Sequence, residues 1–136
     1  MSKVAVVFWS QTGNTEAMAK AIAEAAGAEL IGAADFTVEK AATYDAIAFG
    51  CPAMGDEVLE EEEFQPMWDA VKGSLAAKKV ALFGSWGWGD GAWMESWKAD
   101  AAAAGITLAA DPVLCMEAPD DAALEACAAL GKLLAA

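Results

Sequence analysis

Residues 4–15 read VAVVFWSQTGNT, and this stretch decides the fold. The run Val4–Trp9 is apolar throughout, which is typical of a strand buried on both faces of a parallel sheet. Polar residues and a glycine follow at once. Thr15–Ala26 then places apolar residues at helical spacing, with Gly27 as the expected helix stop. A buried strand that leads directly into a helix predicts a βα unit.

The alternation of strand and helix continues along the chain. Ala46–Gly50 and Val80–Gly84 are near-copies of each other, both apolar and both ending on glycine. Weaker strands are predicted at Glu29–Ile31 and at Ile106–Val113, where Pro112 makes the end irregular. The predicted helices are Glu60–Leu75, Ala92–Ala104 and Asp121–Leu134. This order predicts an α/β fold, a three-layer doubly wound five-stranded parallel sheet in a single domain over 136 residues.

Composition and charge exclude several classes of function. The chain has eight basic residues, all Lys, no His and 21 acids, for a net charge of −13. With no basic patch, we expect no binding to nucleic acid or to anionic membranes, and no apolar segment has the length of a membrane span. Cys51, Cys115 and Cys127 are widely spaced and have no His beside them. They are therefore predicted to be reduced core residues of a cytoplasmic protein rather than metal ligands.

The first loop at the carboxyl ends of the strands combines hydroxyls, amides and a glycine. In doubly wound sheets, ligands bind outside these ends, where the strand order reverses. Neutral donors at a helix N-terminus form an anion site, and a monophosphate is favoured because no Lys follows the glycine. The alternative is that Thr15 or Asn14 merely caps the helix. The loop consists of Ser10, Gln11, Thr12, Gly13, Asn14 and Thr15.

The second loop combines a glycine turn with acids. Gly55 permits the positive φ of a type II′ turn, and Met54 beside it suits contact with an aromatic ring. An ordinary tight turn with Met54 in the core is the alternative. Most of the following acids are predicted to be a solvated helix start, although they also create a negative field beside the loop. The loop consists of Cys51, Pro52, Ala53, Met54, Gly55, Asp56 and Glu57, and Glu60–Glu63 continue the acidic run.

The third loop places two indoles among three glycines, directly after a buried strand. A glycine-rich loop does not hold large side chains in a core, so the two rings are predicted to be presented to a planar ligand. Trp93 and Trp97, four residues apart on the next helix, are instead predicted to lie in the core. The loop consists of Ser85, Trp86, Gly87, Trp88, Gly89, Asp90 and Gly91.

Taken together, these loops resemble those of short-chain flavodoxins from clostridia and related anaerobes. The resemblance runs the length of the chain and is densest in Ser10–Ala19, Gly50–Glu60 and Lys78–Met94. It implies a sheet of order 2-1-3-4-5 with non-covalently bound FMN. It also implies a low-potential one-electron carrier, not an enzyme, that shuttles between semiquinone and hydroquinone and donates to partner redox proteins.

The resemblance also implies roles for individual residues. Trp88 and Met54 correspond to the residues covering the two isoalloxazine faces, and Glu57 to the carboxylate that accepts from flavin N3–H. The Gly55–Asp56 peptide corresponds to the one that reorients on reduction so that its carbonyl accepts from N5–H. The residues that resemble the phosphate cradle are Ser10, Thr12, Asn14, Thr15 and Ser85. The other residues expected at the cofactor are Gln11, Gly13, Pro52, Ala53, Trp86, Gly87, Gly89 and Asp90, with Pro52 and Trp86 standing where some relatives carry Ser and Tyr.

The net charge of −13 leads to expectations about the redox partners and about the reduction potential of the cofactor. We expect a monomer whose redox partners dock through basic surfaces in weak, transient encounters. We also expect the acids beside the second loop to keep the second reduction potential low. The alternative function is a small FMN-dependent reductase of the same fold. A response regulator would need acids where Trp9-Ser10 and Gly50-Cys51 stand, and a non-redox binding module leaves the Trp and Gly loop without a purpose.

Overall fold

Five strands form one parallel sheet: β1 Val4–Phe8, β2 Glu29–Gly32, β3 Ala46–Gly50, β4 Lys79–Trp86 and β5 Val113–Met116. Their order is β2-β1-β3-β4-β5, as predicted. The structure is a computed structural model that describes residues 3–10, 13–53, 59–86 and 91–136. The order reverses between β1 and β3, so the loops after these strands lie at the switch point where ligands bind in such sheets.

Helices cover both faces of the sheet, so the fold has three layers. The helices are α1 Asn14–Ala26, α2 Val38–Ala41, α3 Phe64–Val71, α4 Ala92–Ala103 and α5 Asp121–Ala135. Alternate residues of the central strands point into two cores. Val4 and Val6 pack with α1 and α5, whereas Ala5 and Val7 pack with α3 and α4. No helix in the described ranges is long and apolar enough to cross a membrane.

The fifth strand differs from the prediction. The structure places β5 at Val113–Met116, whereas Ile106–Val113 was predicted. Leu108 makes an isolated bridge with Val80, and regular pairing resumes only at Phe83 with Val113. Leu108 and Val113 are five residues apart, whereas their partners Val80 and Phe83 on β4 are three apart. The extra residues bend out of the sheet just before Pro112, which has no N–H to donate.

The third helix is shorter than the predicted Glu60–Leu75. α3 spans Phe64–Val71 and continues only as a 3-10 turn at Lys72–Ser74, while residues 61–63 form a turn. The carboxylate of Glu60 accepts hydrogen bonds from backbone N–H groups in this turn. The short α2 was not predicted from the sequence. Gly27 ends α1 in the left-handed conformation, as expected.

The cysteine prediction is correct for two of the three residues. Cys51 and Cys127 are fully buried, and burial raises the pKa of each thiol to about 12. The prediction of a core residue is wrong for Cys115, which lies half-buried on β5, an edge strand that is covered on one face only. All three thiols are free.

Gly131 allows α5 to pack closely against α1. A Cβ at this position would lie 2.5 Å from the Ile22 carbonyl oxygen and 3.0 Å from the Ala25 Cβ. The backbone of α1 stands directly in the way, so a methyl group here must push the two helices apart.

We predict that Gly131→Ala lowers the free energy of unfolding by about 1–3 kcal/mol, because overpacking outweighs the gain in helix propensity of about 1 kcal/mol. Denaturant unfolding at equal cofactor load measures the change. Gly73→Ala is the matched control, since no atom lies within 4 Å of a Cβ there. Equal stability of the two variants would contradict the prediction.

Candidate functional site

The loops after β1, β3 and β4 meet at one rim. The Trp9 N–H donates to the Gly50 carbonyl at 3.0 Å, which joins the first loop to the second. The Ala53 N–H donates to the Ser85 carbonyl at 3.0 Å, which joins the second loop to the third. The described stems of the three loops are therefore held together by backbone hydrogen bonds.

The first loop presents the N-terminus of α1. Gly13 is the N-cap residue and has a φ of 93°, a left-handed conformation that favours glycine. The Ser10 hydroxyl accepts hydrogen bonds from the N–H groups of Gly13 at 3.1 Å and Glu16 at 3.3 Å. The capping alternative for Thr15 and Asn14 is therefore wrong, because Ser10 supplies the capping oxygen. Gln11 and Thr12 lie outside the described residues.

A buried pair of hydroxyls links the first loop to the third. Thr15 Oγ1 and Ser85 Oγ are 3.2 Å apart, and the two residues are only 1% and 5% exposed. Two hydroxyls carry two protons, and a single mutual hydrogen bond uses one of them. The second proton can be donated to a further acceptor. This is the donor chemistry that an anion such as a phosphate requires.

The stem of the second loop is fixed against β4 and α4. The Cys51 N–H donates to the Phe83 carbonyl at 3.3 Å, and the Cys51 carbonyl accepts from Trp93 Nε1 at 3.1 Å. A Cβ on Gly84 would lie 2.3 Å from the Cys51 carbonyl oxygen, so only glycine allows this approach. Pro52 and Ala53 are half-buried. The turn predicted at Met54, Gly55, Asp56 and Glu57 lies outside the described residues.

Glu60 closes the far end of the second loop. Its carboxylate accepts from three backbone N–H groups, those of Glu62, Glu63 and Phe64, at 2.7–2.8 Å. Its own N–H donates to the Cys51 sulfur at 3.4 Å, which ties the end of the loop to its beginning. Glu60 is therefore buried and structural, and the prediction of a solvated acid is wrong for this residue.

The backbone donors also set the ionisation of Glu60. Burial alone would raise the pKa of the carboxyl, but the hydrogen bonds from Phe64, Glu63 and Glu62 outweigh it and hold the pKa below its ordinary value of 4.5. The other described acids of the run, Glu61–Glu63, are exposed as expected.

The third loop begins on a half-buried indole. Trp86 packs against the core on the α3 and α4 side, so it is less exposed than predicted for a presented ring. Its carbonyl accepts from the Glu117 N–H at 2.7 Å, which joins the third loop to the end of β5. Trp93 and Trp97 are core residues as predicted. Gly87, Trp88, Gly89 and Asp90 lie outside the described residues.

Comparison with known proteins decides the family. The family model described as Flavodoxin matches residues 6–131. A flavodoxin from Clostridium beijerinckii is 40% identical over 135 residues, which cover 96% of this chain and 97% of that one. The solution structure of two-electron reduced Megasphaera elsdenii flavodoxin has a TM-score of 0.88 at 41% identity, covering 97% of this chain and 98% of that one. The chain belongs to the flavodoxin family. Flavodoxins bind FMN and transfer electrons, so the protein is an FMN-binding electron carrier.

Two residues that position this flavodoxin site were missed from the sequence. Trp9 lies half-buried against the core, and its Nε1–H donates to the Glu63 carboxylate at 3.0 Å, so it braces the first loop against the turn after the second. Nothing in the run Val4–Trp9 separates it from the other strand residues. Glu60 had a weak signal, an acid four residues before the first core residue of a helix, where free N–H groups collect.

We predict that Glu60→Gln lowers the free energy of unfolding at pH 7 by about 1–3 kcal/mol, because an amide cannot accept three hydrogen bonds as a carboxylate does. A group with a lowered pKa stabilises the fold above its ordinary pKa, and that contribution is lost as the pH falls through the folded value. The difference between wild type and variant should therefore shrink below pH 4.5.

Denaturant unfolding at a series of pH values measures both effects. Glu61→Gln, on an exposed neighbour, is the control and should change stability by less than about 0.5 kcal/mol. A pH-independent difference for Glu60→Gln would show that its charge has no part in holding the turn.

Proposed function

We propose that the FMN phosphate binds at the N-terminus of α1. The supporting observation is the buried hydroxyl pair of Thr15 and Ser85 beside this helix end, in which one hydroxyl donates to the other and the second would donate to the phosphate. Ser10 positions the loop, and the backbone N–H groups of Asn14 and Thr15 belong to the first turn, where no intrahelical acceptor exists. The loops contain no Lys or Arg, so neutral donors and the helix dipole would hold the phosphate. Thr12, Gln11 and Gly13 complete the proposed cradle.

We further propose that the second and third loops hold the flavin ring. Met54 and Trp88 would cover its two faces, Glu57 would accept from N3–H, and the Gly55–Asp56 peptide would meet N5. The support is the resemblance in these residues together with the joined stems at Ala53 and Ser85. The remaining proposed contacts are Pro52, Ala53, Trp86, Gly87, Gly89 and Asp90. When bound, FMN supplies one-electron redox chemistry that no side chain of this protein provides.

The charge of the protein supports a proposal about partners. With a net charge of −13, a cytoplasmic monomer formed by a single domain over residues 1–136 would meet redox proteins through their basic surfaces. Such encounters are weak and lose rate as salt screens the charges. The alternative of an FMN-dependent reductase is not favoured, because the relatives of 40% identity or more are flavodoxins.

We predict that Thr15→Val weakens FMN binding about 10- to 100-fold, because it removes a hydroxyl from a charged acceptor while keeping the shape of the side chain. Riboflavin has no phosphate, and its affinity should change little. Fluorescence titration of the apoprotein with each flavin measures both constants.

Thr107→Val is the control for this substitution, since Thr107 is exposed and lies before β5, at the amino end of the sheet. It should leave both affinities unchanged. An equal loss for FMN and riboflavin in Thr15→Val would instead indicate general damage to the loop and would remove Thr15 from the phosphate site.

We predict that the double variant Glu61→Gln, Glu62→Gln raises the second reduction potential, because each nearby negative charge opposes the electron added to the cofactor. Both residues are exposed, so the effect should shrink as salt rises. Spectroelectrochemical titration at low and high salt measures it. The control is Glu24→Gln with Glu39→Gln, exposed acids on α1 and α2 away from the rim. A shift of the same size in the control would contradict a local role for the acidic run.

A further inference from the structure

An apolar patch lies on β5, at the edge of the sheet. The large apolar side chains that are exposed among the described residues are Leu30, Val38, Leu114, Met116 and Leu133. Leu114 and Met116 share one strand, and because they are two residues apart they lie on the same face of it. Met116 is 59% exposed, the highest value among the five. We refer to Leu114 and Met116 as the β5 patch.

The β5 patch lies against both stems of the third loop. Met116 is in register with Trp86, and the next residue, Glu117, donates its N–H to the Trp86 carbonyl. On the other side, Leu114 Cδ2 is 3.1 Å from the position that a Cβ on Gly91 would occupy. Trp86 and Gly91 flank the part of the loop that is proposed to cover the flavin. A protein that contacts the patch therefore comes close to the cofactor.

Exposed acids flank the β5 patch in the sequence. Asp111 precedes the strand, Glu117 follows it, and Asp120 begins the adjoining helix α5. A groove of about 420 Å³ beside β5 leaves room for a side chain from a partner, and Val113, Ala122 and Ala126 are part of its lining. An apolar centre with a charged rim is the usual anatomy of a protein interface. Acids in the rim select a partner that carries Lys or Arg around its own apolar contact.

We propose that the β5 patch is the apolar centre of the surface that docks a basic redox partner protein. The inference rests on the proposed FMN site, since that site makes the third loop the place where electrons leave. A second copy of the chain is the poorer occupant, because two copies would bring the same acids together in a protein of charge −13. The apolar centre slows dissociation, while the acids raise the rate of encounter.

The test uses the FMN-loaded protein with ¹³C-labelled methionine methyl groups. The probe is a basic cytochrome c in which zinc replaces the haem iron, so that binding is measured without electron transfer. At low salt we expect the Met116 methyl resonance to shift on titration. We expect Leu114→Gln and Met116→Gln each to raise the Kd at least fivefold without changing FMN content or the unfolding midpoint.

Leu133→Gln is the matched control. Its side chain is 41% exposed against 37% for Leu114, and its carbonyl contacts Lys79 at the start of β4, at the opposite end of the sheet. This variant should bind the probe as the wild type does. Equal Kd values for Leu114→Gln and Leu133→Gln, a Met116 methyl that does not move, or no binding at low salt would overturn the proposal. Concentration-dependent self-association that Met116→Gln abolishes would overturn it in favour of a second copy.

The failure of this inference is distinguishable from failure of the proposed function. If the chain binds FMN through Thr15 but the patch variants bind the probe normally, only the docking surface is wrong. If FMN affinity does not depend on Thr15, the phosphate site is wrong whatever the patch variants do.

Discussion

The close approach of β3 and β4 at Cys51 and Gly84 is the constraint on which the site depends. Because residue 84 has no side chain, the Cys51 carbonyl oxygen can lie 2.3 Å from the position that a Cβ would occupy. That carbonyl accepts from the Trp93 indole, and Ala53 pairs with Ser85 immediately beyond it. The second and third loops consequently leave the sheet side by side. A wider gap between these strands would separate the residues proposed to contact the flavin.

The electrostatics of the rim follow from the absence of cations in its loops. A phosphate beside a Lys would gain Coulomb energy, but at the proposed site the helix end and the buried hydroxyls would hold the phosphate without adding a positive charge near the flavin. Because these loops contain no cation to offset the acids that follow the second loop, the field of those acids would act on a flavin at the proposed site with little cancellation. A phosphate site made of neutral groups is therefore compatible with a flavin that is difficult to reduce.

The sequence was sufficient for the fold wherever apolar runs were continuous, and insufficient where pairing was irregular. Val4–Phe8 and Ala46–Gly50 are apolar throughout because helices cover both of their faces. That continuous pattern predicts the bounds of both strands almost to the residue. β5 failed because apolar residues on both sides of Pro112 suit a strand, and only pairing with β4 decides which of them form it. Thr15 and Ser85 are 70 positions apart in the sequence, and a local sequence pattern does not show which distant residues come into contact.

The acidic run shows why neighbouring residues of one type need separate analysis. Glu61 and Glu62 are exposed to solvent, whereas the carboxylate of Glu60 is buried and accepts hydrogen bonds from three backbone N–H groups. The donors it satisfies include the first N–H groups of α3, which would otherwise need water inside a packed turn. Its burial also explains why α3 starts at Phe64 rather than at the first glutamate. One carboxylate thus sets both the start of the helix and the closure of the second loop.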